Sequence, residues 1–242
     1  MSVMQVPCYG CKKECLSELL GTYVLVVLGP ASVVVFSSIP SLLGLESPAL
    51  IALTFGGTVA LLILALGKHS GAAINPAVTV AVASARLLKK GFFLPYVVFQ
   101  MAGGVLAGLT LRALFLSFNS GSSLGATKLA SGISPFLGIT VEAVGTFVLA
   151  SSALIASTRI KNVRNQGLFV GTTLFILIMF IGPLTGAGFN PARSLGPSLV
   201  SGYFTNLYVY LIGPIAGALV AGLLFRVMTE RGRNSRNLVC LC

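Results

Sequence analysis

At 242 residues, 55% of them hydrophobic and only 9% charged, with a mean hydropathy of +0.96, the chain carries far less charge than the roughly 25% of a soluble domain, which excludes a water-soluble globular protein. The net charge of +11 invites a nucleic-acid reading, but the basic residues are spread over short segments between apolar runs, where they meet anionic lipid rather than a polynucleotide. No Gly-rich Lys-Ser/Thr loop for a nucleotide is present, so neither a pump nor a cofactor-dependent enzyme is indicated, and no cofactor is expected.

In chain order, a polar tail (1–15) holds Cys8, Cys11 and Cys15. That spacing could bind a metal, but it reads more simply as thiols of a cytoplasmic tail or a lipid-attachment site, as does the terminal Cys240-Leu241-Cys242. The tail runs into a full-length apolar segment without a small-residue cleavage pattern, so a cleavable signal peptide is not expected. Apolar runs follow at 16–39, 48–67, 92–118, 135–157, 167–184 and 207–228, each at or near the ~17–25 residues of a spanning helix. Two segments, 74–85 and 190–200, are too short to cross, and each carries a Pro directly after an Asn, as suits a first helical turn. The organisation expected is a tail at 1–15, a first repeat at 16–118, an extracellular connecting loop at 119–134, a second repeat at 135–228 and a tail at 229–242. Of 16 Lys and Arg, all but Arg112, Lys128 and Arg193 fall on one expected face, which places both termini in the cytoplasm.

The two halves repeat one another. Asn75-Pro76-Ala77 returns as Asn190-Pro191-Ala192, each behind a Gly-containing lead-in, 70–74 and 185–189. Each lies downstream of a Glu-x-x-Gly-Thr-aromatic-Val-Leu segment, Glu18 to Leu25 and Glu142 to Leu149. Gly103-Gly104-Val105-Leu106-Ala107-Gly108 closes the first half and Gly217-Ala218-Leu219-Val220-Ala221-Gly222 the second, and both read as close helix–helix contacts. A lone Asn-Pro-Ala is ordinarily an Asn-capped helix start. Two copies in register are different: with three spans per half the repeat is inverted, and two half-helices meet at mid-depth.

A helix N-terminus carries unsatisfied N–H groups and partial positive charge. Two such ends facing each other, with Asn75 and Asn190 on them, would orient a passing water by its oxygen and so break a proton wire while repelling cations. The stretches 71–74 and 186–189 are expected as extended backbone whose carbonyls replace part of water's hydration shell, tolerated at that depth because it lines a cavity. Arg193 falls inside the membrane, where a charge is functional by default. Glu18 and Glu142, inside spans, need partners for the same reason.

In these motifs the chain resembles the aquaporin family, the major intrinsic proteins, over roughly residues 14 to 230. The resemblance implies an all-α membrane protein with six transmembrane helices plus two re-entrant half-helices, a homotetramer with one pore per subunit in the cell membrane, and no enzyme activity. It implies a passive channel for water that excludes protons and ions, with small neutral solutes as further cargo. By family alignment, Arg193 forms one wall of the narrowest point and Phe55, Ile178 and Ala187 the others, while Glu18 and Glu142 hydrogen-bond the dipping loops. Strict water filters carry His where this chain has Ile178. Ser198 stands where glycerol channels resemble one another in carrying Asp, and Ala73 replaces an inner-mouth His, leaving His69 as the lone histidine. Tyr210 resembles the water-selective pattern, while Leu211 does not. A facilitator of glycerol, ammonia, hydrogen sulfide, carbon dioxide or a metalloid is the rival reading; a closed-pore junction protein and a coupled transporter stand behind it.

Overall fold

A computed structural model describes residues 12–37, 41–42, 45–115 and 123–239; Cys8, Cys11, Cys240 and Cys242 lie outside them. In these residues the chain forms α1 (Lys12–Phe36), α2 (Ser47–Ser70), α3 (Pro76–Ser84), α4 (Phe93–Phe115), α5 (Pro135–Arg159), α6 (Val163–Thr185), α7 (Pro191–Ser201) and α8 (Val209–Val239). Between α1 and α2, two-residue strands β1 (Ser41–Leu42) and β2 (Leu45–Glu46) pair antiparallel. Six helices, α1, α2, α4, α5, α6 and the Val209–Glu230 part of α8, are long and apolar enough to cross a membrane. With 9 and 11 residues, α3 and α7 measure only about 14 and 17 Å.

Local chemistry sets the boundaries where hydropathy does not. α1 begins at Lys12, ahead of the apolar run, because Lys and Glu are good helix formers beyond the hydrocarbon. α5 starts at Pro135 behind Ser134, whose hydroxyl accepts from Leu137 N, and α6 behind Asn162, whose side chain accepts from Arg164 N. The half-helices begin at Pro76 and Pro191, with each preceding Asn outside the helix as its cap.

Swapping α1–α4 with α5–α8 exchanges every major packing pair: α1 on α4 with α5 on α8, α1 on α2 with α5 on α6, and α3 on α8 with α4 on α7. The α2–α6 pair maps onto itself, so the pseudo-two-fold axis passes between those helices. There a Cβ on Gly56 would sit 2.6 Å from the carbonyl oxygen of Gly171, and one on Gly171 would overlap that of Gly56. The small residues at the ends of the halves act alike: Gly103 lies against the Leu19 carbonyl and Gly217 against that of Ala143, while Gly108 and Gly222 receive the half-helices at Gly196 and Ala81. Small residues let helices approach where lipid supplies no hydrophobic drive. Large apolar side chains cover the outside, among them Phe136, Phe180 and Leu61, whereas Glu18, Glu142 and Arg193 are buried within.

Candidate pore and its lining

Each half-helix is reached through a lead-in that is not extended, contrary to the expectation from sequence. Gly71, Ala72 and Ile74 have φ of 88°, 49° and 43°, and Gly186, Ala187 and Phe189 have 79°, 47° and 50°. The left-handed region is uncommon for non-glycine residues and an outlier for a β-branched one, at a cost of about 1–3 kcal/mol each. This conformation aims neighbouring peptide N–H groups to one side, so that Ala73 N and Ile74 N both meet Glu18, and Gly188 N and Phe189 N both meet Glu142.

The buried acids hold it there. Glu18 Oε1 accepts from Ser70 Oγ at 2.6 Å and Ala73 N at 3.1 Å, and its Oε2 from Ile74 N at 2.6 Å and Gln100 Nε2 at 2.7 Å. Glu142 Oε1 accepts from Thr185 Oγ1 at 2.6 Å and Gly188 N at 2.9 Å, and its Oε2 from Phe189 N at 2.8 Å. Tyr96 Oη donates to Ser70 O at 3.0 Å and Tyr210 Oη to Thr185 O at 2.8 Å. The side chains of Ile74 and Phe189 fill the notches at Gly21 and Gly145. Gly188 is needed for space: a Cβ there would stand 2.8 Å from Tyr210 and 2.9 Å from Ser194 Oγ.

Asn75 Oδ1 caps α3 by accepting from Ala77 N at 2.8 Å, and Asn190 Oδ1 caps α7 by accepting from Ala192 N at 3.0 Å and Arg193 N at 3.3 Å. Each amide nitrogen also reaches across the two-fold: Asn75 Nδ2 donates to Phe189 O at 2.9 Å and Asn190 Nδ2 to Ile74 O at 3.0 Å. One N–H of each amide is thereby used to tie the repeats together, leaving the other for a solute. Pro76 and Pro191 occupy the first helical turn and, with Ala77 and Ala192, are buried.

Asn75, Asn190, Phe55, Ile178, Ala187 and Arg193 all line a single cavity of about 460 Å³. Its walls are otherwise largely apolar, and it extends to Glu14, His69 and Lys89 at one end. Glu18 and Glu142 stand outside the lining. Arg193, only 2% exposed, donates from Nη1 to Gly125 O at 2.8 Å, and its guanidinium lies 5.1 Å from the centroid of the Phe55 ring. Its Nε is buried with no hydrogen-bond acceptor among the described residues.

Several residues of this arrangement escape the motif reading: Tyr96, Gln100, Thr79, Thr185 and the Gly125 carbonyl. Tyr96 was within reach, since it precedes Gly103 by the interval at which Tyr210 precedes Gly217. Its symmetry with Tyr210 makes both tyrosines clasps of the lead-ins. Gly125 carried no signal, because its contribution is a backbone carbonyl in a loop.

A family model described as "Major intrinsic protein" matches residues 6–225. Nodulin-26 of Glycine max is 33% identical over 89% of this chain and 78% of its own. Aquaporin AqpM of Methanothermobacter marburgensis is 34% identical over 90% of this chain and 98% of its own. The X-ray structure of the aquaglyceroporin from Plasmodium falciparum shares the fold, with a TM-score of 0.76 over 89% of this chain and 93% of that one, at 23% identity.

Proposed function

The chain belongs to the major intrinsic protein family, a multi-pass membrane channel for water or small solutes and not an enzyme, and we propose that its main cargo is water, with protons and ions excluded and small neutral solutes admitted. The observation that carries this reading is the single lining that unites both asparagines with Phe55, Ile178, Ala187 and Arg193. Two helix N-termini, each worth about half an elementary charge, and the Arg193 guanidinium give the lumen a positive field. Among the described residues the only carboxylate in the lining is Glu14, at the end marked by His69 and Lys89. A water between Asn75 and Asn190 accepts from the two free amide N–H groups, so its own protons point away along the pore and no proton relay passes them.

A facilitator of glycerol or another small neutral solute is the second reading, favoured by Ile178. Strict water filters place an imidazole there; an aliphatic side chain widens the lumen and removes one polar contact. The relatives support both readings, since one is called an aquaporin and the structural neighbour an aquaglyceroporin. The cavity passing both asparagines speaks against a closed-pore junction protein. Stopped-flow light scattering on proteoliposomes, with wild type beside Ile178→His, decides between them. Fast water flux with little glycerol entry establishes the water channel. Comparable glycerol entry that falls in the variant makes it a solute facilitator, and glycerol entry indifferent to the variant removes Ile178 from the filter.

The assembly proposed is a homotetramer in the cell membrane with one pore per subunit. The Lys- and Arg-rich face would be cytoplasmic with both termini on it, and the connecting loop extracellular. Crosslinking in native membranes and protease protection of a terminal tag test these assignments.

A further inference from the structure

Gly29 lies on α1, buried and outside the cavity lining. A Cβ added to it would overlap Cδ1, Cε1 and Cζ of the Phe55 ring, well inside the 3.0 Å that real Cβ atoms respect. The ring is therefore seated in a notch that only glycine leaves. From that seat it lines the cavity and meets the Arg193 guanidinium. The next residue serves the opposite wall: the Pro30 carbonyl lies against Gly125 so closely that a Cβ on Gly125 would overlap it, and the Gly125 carbonyl is the acceptor for Arg193. One turn of α1 thus fixes two walls of the filter. The second repeat has no such device, for at the corresponding intervals it carries Ala153 for Gly29 and Val170 for Phe55.

We propose that Gly29 is a specificity-determining positioning residue: by receiving the Phe55 ring it holds the aromatic back from the lumen and sets the width of the filter. A methyl group at position 29 meets the far end of a side chain with two torsions, not backbone, so the ring yields before the helices do. α1 closes the space behind it, and the cavity is the open side. The displaced ring moves into the lumen and leaves the face of Arg193.

This rests on Phe55 being a filter wall. The test compares wild type, Gly29→Ala, Phe55→Ala and the double variant in proteoliposomes, with water and glycerol permeability read by stopped flow. Gly29→Ala is expected to lower the glycerol-to-water ratio about tenfold, the scale of one methylene in a discriminating pocket. The double variant is expected to return to the ratio of Phe55→Ala, because without the ring the methyl has nothing to push. An unchanged ratio in Gly29→Ala, or a defect that persists in the double variant, overturns the proposal; the latter would mean damage to helix packing. Wild type that passes no glycerol defeats the solute reading alone, and water permeability then decides, falling in Gly29→Ala and recovering in the double variant if Gly29 sets the width. Fluorine NMR with para-fluorophenylalanine at position 55 reads the ring independently of conduction. Its resonance shifts in Gly29→Ala on this proposal, and an unmoved resonance overturns it.

Discussion

Around Ile74 and around Phe189 the chain follows nearly the same path, yet the two lead-ins are closed by different chemistry. In the first repeat Glu18 is surrounded by neutral donors, and Gln100 links it to Thr79 by donating to both, at 2.7 and 2.9 Å. In the second repeat the position of Gln100 is taken by Pro214 and that of Thr79 by Ser194, whose buried hydroxyl has no hydrogen-bond partner among the described residues. Where the first repeat has Val78, the second has Arg193. The backbone has kept its symmetry while the side chains have diverged: one half closes neutral donors around its carboxylate, and the other adds a guanidinium and donors with capacity left over. A pore needs both halves to bend the chain, but only one to discriminate.

The largest effect is expected where the acids are removed. Glu142→Ala leaves Gly188 N, Phe189 N and Thr185 Oγ1 without their acceptor, each at about 1–3 kcal/mol when buried. It also removes the buried carboxylate that offsets the charge of Arg193, a loss Glu18→Ala does not share. Both variants are expected to lose thermal stability in detergent, Glu142→Ala by more. Equal losses would show that the two networks are interchangeable despite their different members.

Next in size is the charge balance at the asparagines. Aspartate in place of either asparagine puts a carboxylate at a half-helix N-terminus inside the lumen and reverses the local field. Asn190→Asp is partly neutralised by Arg193, three residues on in its own half-helix, where Asn75→Asp has Val78. Cation leak through proteoliposomes is therefore expected in both variants and greater in Asn75→Asp. Arg193→Ala should remove the asymmetry, raising cation and glycerol flux while water still passes. If the leak is the same in the two Asp variants, Arg193 does not shape the field at mid-depth.

The repeat in the sequence located both half-helices, both acids and the glycines of close approach, because these depend on residue type at fixed intervals. The proposed filter wall at Phe55, Ile178, Ala187 and Arg193 was reachable only through family resemblance, since nothing in an aliphatic position on a helix marks it as lumenal. Three features were not legible. The left-handed turns at Ala72, Ile74, Ala187 and Phe189 occur in residues whose local preference is against them, and they are imposed by Glu18 and Glu142 from another helix. The crossed bonds from Asn75 to Phe189 O and from Asn190 to Ile74 O follow from juxtaposition of the repeats. The Gly125 carbonyl follows from a loop whose composition says nothing of where it folds.

The smallest expected effect sharpens the comparison most. Thr79 Oγ1 donates to Asn75 O at 3.0 Å and accepts from Gln100 Nε2 at 2.9 Å. Thr79→Val, close in shape, removes both bonds and should cost about 1 kcal/mol with a measurable fall in melting temperature. Ser194→Ala removes a hydroxyl that is already buried and unsatisfied, and such a change is nearly neutral or stabilising. Glycerol and water permeability should both survive it, because Ser194 does not line the cavity. A loss in Ser194→Ala as large as in Thr79→Val would mean that the hydroxyl has a polar partner, and an ordered water would serve as one. The second lead-in would then be a hydrated version of the first, and Arg193 alone would separate the two halves.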